Sequence, residues 1–132
     1  MVIDSSALIA ILFDEPDRLE LEGIIEADPV RLISAVTKLE AGMVMVGQRG
    51  SAEPLDRLLA RISARIIPFD DHQANIARNA FTRYGKGRHK AALNFGDCAA
   101  YALAAAEAEP LLFKGTDFGA TDVEVAGVGE GQ

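Results

Sequence analysis

The chain has 132 residues, of which 49% are hydrophobic and 25% charged, the make-up of an ordinary globular domain able to bury a core. Its net charge of −7 argues against a protein that coats nucleic acid with a basic face. No apolar run approaches a membrane span, and the single cysteine, Cys98, rules out an intramolecular disulfide, so a cytoplasmic protein without a membrane role is expected.

Taken along the chain, strand and helix signals alternate. Val2-Ile3 reads as a short strand, and Ser5 to Phe13 as an apolar helix. Glu15-Pro16-Asp17 breaks the chain before a helix with Leu21, Ile24 and Ile25 at helical spacing. Val30 to Ile33 is a second strand, and Ser34 caps a helix carrying Val36, Leu39, Met43 and Val46 on one stripe. After a turn over Gly47–Ser51, Leu55, Leu58, Leu59 and Ile62 mark an amphipathic helix. Arg65 to Phe69 is the third strand, with Pro68 favouring its end. Asp70 or Asp71 opens a helix with Ile76, Ala80, Phe81 and Tyr84 inward. A Gly- and Lys-rich loop, Tyr84–Ala91, leads to an Ala-rich helix from Phe95 to Glu107 that Pro110 stops. Leu111 to Phe113 is the fourth strand, Val123 to Ala126 a fifth, and the Gly-rich end is expected to fray. Strands joined by helical crossovers imply a parallel sheet. The expected fold is therefore one three-layer α/β/α domain over residues 1–127, with a flexible tail over 128–132.

Four carboxylates stand out from this pattern. Asp4 ends the first strand, Glu40 closes Thr37-Lys38-Leu39-Glu40, Asp97 closes Leu93-Asn94-Phe95-Gly96-Asp97, and Asp117 lies in Gly115-Thr116-Asp117-Phe118. Each has a plain structural explanation. Asp4 is a good N-cap, Asn94 and Asp97 imitate a capping box, and Asp117 suits a turn. Glu40 is harder to explain, because it borders the apolar row Val36, Met43 and Gly47, where a charge needs a partner. All four fall at strand ends or early in helices, positions that converge on one crevice of an open α/β sheet. Acids gathered there repel one another unless a cation neutralises them, and Mg²⁺ or Mn²⁺ suits an all-oxygen site. Metal-assisted phosphodiester chemistry is the expected result, and the ion would offset part of the chain's negative charge.

These same residues carry a resemblance. Val-Ile-Asp-Ser-Ser-Ala-Leu at the start, the helical Glu40, Leu-Asn-Phe-Gly-Asp-Cys and the late Gly-Thr-Asp-Phe look like the PIN-domain ribonucleases, and among them the VapC toxins of toxin–antitoxin modules. The resemblance spans essentially the whole chain. It implies an α/β/α endoribonuclease dependent on Mg²⁺ or Mn²⁺, usually a homodimer, held inactive by a cognate antitoxin. Asp4, Glu40, Asp97 and Asp117 match the family's acidic quartet as catalytic and metal-binding residues, with Thr116 and Ser5 in support. Attack by metal-activated water would leave 5′-phosphate and 3′-hydroxyl ends.

Other residues take lesser parts. Lys86, Arg88 and Lys90, with His89, form a basic cluster able to meet RNA phosphates, or else a plain solvated loop. His72 and His89 lack partners at zinc-ligand spacing, and Cys98 reads as a small core residue. The apolar side chains of the first two helices either pack on the sheet, the simpler reading, or receive a partner helix. Two competing functions remain: an inactive binding module of the same fold, and a receiver-type phosphoacceptor built on Asp70-Asp71 and Lys114. The second lacks the acidic pair after the first strand. A P-loop is absent from the sequence.

Overall fold

A computed structural model describes residues 1–127. Its four-stranded parallel sheet has the order β3-β2-β1-β4, formed by β1 (Val2–Ile3), β2 (Leu32–Ser34), β3 (Arg65–Ile67) and β4 (Leu111–Leu112). The six helices are α1 (Ser5–Leu12), α2 (Arg18–Ala27), α3 (Ala35–Arg49), α4 (Glu53–Arg61), α5 (Asp71–Tyr84) and α6 (Phe95–Glu107).

Strand register explains the three layers. Val2 pairs with Leu32 and with Leu111, and Ile3 pairs with Leu112. Successive side chains of a strand point to opposite faces. Val2, Leu32 and Leu111 therefore pack with α5 and α6, around Ala80, Leu93 and Leu103. Ile3, Ile33 and Leu112 pack on the other face, with Leu8 and Ile11 of α1, Leu21 and Ile25 of α2, Met45 of α3 and Leu58 of α4. Both faces of every central strand are covered, which is why these short segments are continuously apolar.

Local signals place the helix ends. The Ser34 hydroxyl accepts from Val36 N–H at 3.2 Å to start α3, and Gly50, at φ 78°, ends it in the left-handed region. Asp70 accepts from Gln73 N–H at 2.9 Å to start α5. Asn94 and Asp97 form a reciprocal capping box on α6, at 2.9 and 3.0 Å.

Several expectations change. The α3 stripe does not face the core: α3 buries Thr37, Ala41 and Met45, while Leu39, Met43 and Val46 are exposed. They line a groove of about 650 Å³ against Ala52 and Leu55. An apolar stripe at helical spacing shows amphipathicity but not which side the sheet lies on. The surplus expected on the first helices is absorbed, since Leu8, Leu21 and Ile25 are buried and Ile9, Leu12, Phe13 and Ile24 pack against them. Phe81, expected inward, is 40% exposed. The turn expected at Gly47 begins later, because α3 runs to Arg49. The fifth strand reduces to a single parallel bridge between Leu111 and Val125. The expected tail, 128–132, lies outside the described residues, and no described helix is long and apolar enough to cross a membrane.

Candidate active site

The chain runs outward from β1 to β2 and β3, then crosses back through α5 and α6 to β4 on the other side of β1, so the winding reverses between β1 and β4. The crevice beyond the carboxyl ends of β1 and β4 is the place such a sheet offers a ligand. Asp4 follows β1 directly, and Lys114 to Asp117 follow β4.

Asp4 is only 2% exposed. Its Oδ2 accepts from Ser6 N–H at 3.0 Å and from the Ser6 hydroxyl at 2.6 Å, so the capping role expected of it is real. Its Oδ1 is buried and accepts no hydrogen bond. Capping needs one oxygen, and the other is left without a partner. Burial pushes the Asp4 carboxyl above its ordinary pKa, the Ser6 bonds pull it back, and the Glu40 charge raises it further.

Ser6 received no site role from the sequence, yet it joins two edges of the crevice. Its hydroxyl donates to Asp4 and accepts from the Lys114 backbone N–H at 2.9 Å. The signal was the Asp-Ser-Ser start, where a serine two residues after an N-cap can turn back onto it. Ser5 donates its hydroxyl to Glu40 Oε1 at 2.7 Å, linking α1 to α3.

Gly96 is the second residue the sequence reading passed over. A Cβ built on it would overlap both carboxylate oxygens of Glu40 and lie 2.6 Å from Cδ. Only glycine lets the first turn of α6 approach that carboxylate so closely. Asp97 follows it, half-buried, with Oδ2 accepting from Asn94 N–H. Burial pushes Asp97 up to about 6; the Asn94 bond opposes this, and the charges of Asp4, Asp117 and Glu40 add to it. The four acids thus share one electrostatic field.

Asp117 and Thr116 are exposed, on the turn before the 3₁₀ helix Phe118–Ala120. Gly115, at φ 103°, lets the chain reverse there after β4. Phe118 is buried against Phe113, ring centroids 5.2 Å apart, and anchors the turn. The receiver reading finds no residue set: Asp70 caps α5, and Lys114 Nζ is paired with Glu15 and Asp17.

Among the described residues no three His, Cys, Asp or Glu side chains meet as a ready-made metal cage. The donor chemistry nevertheless fits a hard divalent ion. A buried carboxylate oxygen has no partner, and burial with neighbouring negative charge raises the proton affinity of Asp4 and Asp97, so a cation or protons must satisfy them. A loose set of oxygens suits Mg²⁺, which keeps several waters rather than filling an all-protein cage.

The PIN domain family model matches residues 1–124. A protein of Mycolicibacterium smegmatis named Ribonuclease VapC is 52% identical over 126 residues, spanning 93% of this chain and 97% of that protein. Ribonuclease VapC30 of Mycobacterium tuberculosis is 48% identical over 126 residues, spanning 93% and 95%. Among solved structures, a toxin–antitoxin complex from Klebsiella pneumoniae superposes with TM-score 0.70 at 26% identity, over 95% of each chain. Mycobacterium tuberculosis VapC20, described as a toxin that cleaves the sarcin–ricin loop, superposes with TM-score 0.74 at 15% identity over 92% and 95%, which speaks to the fold. The site is thus carried on a PIN domain. The chain belongs to the VapC ribonucleases of that family.

Proposed function

We propose that this protein is a divalent-metal-dependent endoribonuclease, the toxin of a toxin–antitoxin module, acting in the cytoplasm with Asp4, Glu40, Asp97 and Asp117 as its working acids. The observation that carries this reading is Asp4, a buried carboxylate with one oxygen unpartnered, at the end of β1 and within the electrostatic reach of Glu40 and Asp97. A fold needs no such group, and it is costly to keep without a ligand.

The Asp4 Oδ1, Glu40 and Asp97 carboxylates, with Asp117 across the crevice, are the groups that would hold Mg²⁺ or Mn²⁺. When bound, the ion supplies Lewis-acid polarisation of the phosphate and an activated water. The rest is done by the chain. Ser6 fixes Asp4 so that Oδ1 faces away from the cap, Ser5 orients Glu40, and the Asn94 N–H holds Asp97. Thr116, exposed beside Asp117, has a hydroxyl able to orient it or a water. Lys86, Arg88 and Lys90, all exposed, would hold RNA phosphates.

A protein partner follows from the same reading. The Klebsiella relative was solved as a toxin–antitoxin complex, and a cognate antitoxin is the corresponding partner here. Leu39, Met43 and Val46 supply exposed apolar surface of the kind protein partners cover. A homodimer is proposed on family grounds alone.

The test is cleavage of total cellular RNA by the antitoxin-free protein with Mg²⁺ or Mn²⁺, with Asp4→Asn, Asp97→Asn and EDTA alongside. Discrete fragments are expected from the wild type only, and none in EDTA. A folded wild type that cleaves nothing with metal present moves the protein to the inactive binding-module reading.

A further inference from the structure

Phe95 is the most exposed of the large apolar side chains among the described residues, at 80%, and nothing in the fold uses it. It is the first residue of α6, immediately before the glycine that abuts Glu40 and two before Asp97. The helix start is specified without it. Asn94 and Asp97 supply the capping box, and Leu93 and Cys98, both buried in the same core cluster, occupy the positions that staple a helix entry. Phe95 belongs to neither core cluster. A solvated phenyl ring is thus presented at the rim of the acid site by a backbone that capping makes rigid.

Its surroundings point to what the ring meets. The basic loop is closed by Lys86 N–H to Leu93 O and Leu93 N–H to Tyr84 O, both 2.9 Å, so it ends two residues before Phe95. Among the described residues none of Lys86, Arg88 and Lys90 is paired with a carboxylate, which leaves their charge free for a ligand. Arg88 instead lies over the half-exposed Phe81 ring, 5.7 Å from its centroid. Unpaired cations interleaved with exposed aromatic rings are the pattern that holds single-stranded nucleic acid, by stacking on bases and charge on phosphates.

We propose that Phe95 is a stacking platform for the nucleobase next to the scissile phosphate of single-stranded RNA, the cations of the neighbouring loop holding adjoining phosphates. This rests on the ribonuclease reading of the acid site, and adds a residue that positions the base beside it.

The chain has no tryptophan, so Phe95→Trp installs a lone indole at the site. The probes are a ten-nucleotide oligoadenylate and an abasic strand of the same length, in EDTA. Oligoadenylate is expected to quench the indole and the abasic strand is not. Phe95→Ala is expected to weaken oligoadenylate binding by between about fivefold and about a hundredfold. Its abasic binding, salt slope and melting temperature should stay unchanged, and Phe95→Tyr should restore affinity. Equal loss on both probes, or no loss on either, overturns the inference, and the latter leaves the ring to a protein partner. The two readings separate cleanly. A wild type that cleaves RNA while Phe95→Ala binds and cleaves equally well sinks the stacking site alone. Phe95-dependent binding without any cleavage sinks the nuclease alone.

Discussion

Asp97 and Gly96 show how single residues set the chemistry of the crevice. The folded pKa of Asp97, about 6, lies above its ordinary 3.8. Its ionised form therefore weighs against the fold above pH 6, and that burden lifts as the pH falls through 6 towards 3.8. The metal-free protein should melt higher at pH 5 than at pH 7, by about 1–2 kcal/mol from this group after solvent screening. In Asp97→Asn the gain should shrink to what Asp4, also raised, contributes. Asp28, held below the usual carboxylate range by the N-terminal ammonium, titrates beneath this window. Thermal melts in EDTA at the two pH values check it; identical slopes in wild type and variant would show Asp97 to be unperturbed. Gly96→Ala separates stability from activity. Alanine in a helix is ordinarily favoured over glycine by up to about 1 kcal/mol, and the obstructing atoms are the mobile end of Glu40. The variant should melt within about 1 kcal/mol of wild type yet lose tenfold or more of its cleavage, about 1.4 kcal/mol of barrier. Full activity would mean that the Glu40 position does not matter. Asp97 was readable from its motif, whereas Gly96 was not, since only the tertiary structure brings Glu40 against it.

At the scale of elements, the crevice is held by contacts between loops that sequence periodicity does not describe. Ser6 ties the end of β1 to the start of the loop after β4. Ser6→Ala should cost about 1–3 kcal/mol by leaving buried groups of Asp4 with fewer partners, and should lower cleavage with it. A variant that melts like wild type would count against the tie. Arg31 plays a similar part at the opposite end of the sheet. Its guanidinium donates to the carbonyls of Ile25 and Asp28 at 3.0 and 2.9 Å, and to Ile62 at 2.8 Å, joining the ends of α2 and α4. Helix boundaries were legible because capping is local: Ser34, Asp70 and Asn94 all cap as their sequence contexts imply. The orientation of α3 was not. Its stripe Leu39, Met43 and Val46 is as apolar as its buried face, so only packing against α1 and β2 decides which side turns inward.

For the whole molecule, ligand linkage gives the sharpest test of the metal. If the acids bind Mg²⁺ or Mn²⁺ only when folded, the ion at a hundred times its Kd should raise stability by about 2.7 kcal/mol. EDTA should reverse the rise, and Asp4→Asn should abolish it without melting lower than metal-free wild type, because relief of repulsion offsets the lost ligand. Calorimetry with and without metal reads this directly. A wild type that does not respond would leave the orphaned Asp4 oxygen unexplained. On the proposed function, the net charge of −7 is no obstacle, since a small cationic loop beside an acid cluster neutralised by metal would recruit RNA without a basic face.

The layer order, the parallel sheet and the four acids were written in the sequence, because strand and helix periods, caps and strand-end carboxylates are local and additive. Convergence was an inference from topology, and the sheet order β3-β2-β1-β4 supports it. Three things needed the tertiary structure. The unpartnered Asp4 oxygen depends on what lies across from β1; the Gly96–Glu40 contact joins two residues of different helices that are 56 positions apart in sequence, from 40 to 96; and the exposure of Phe95 depends on Leu93 and Cys98 filling the core in its place. Each is a relation between distant residues, which no local pattern encodes.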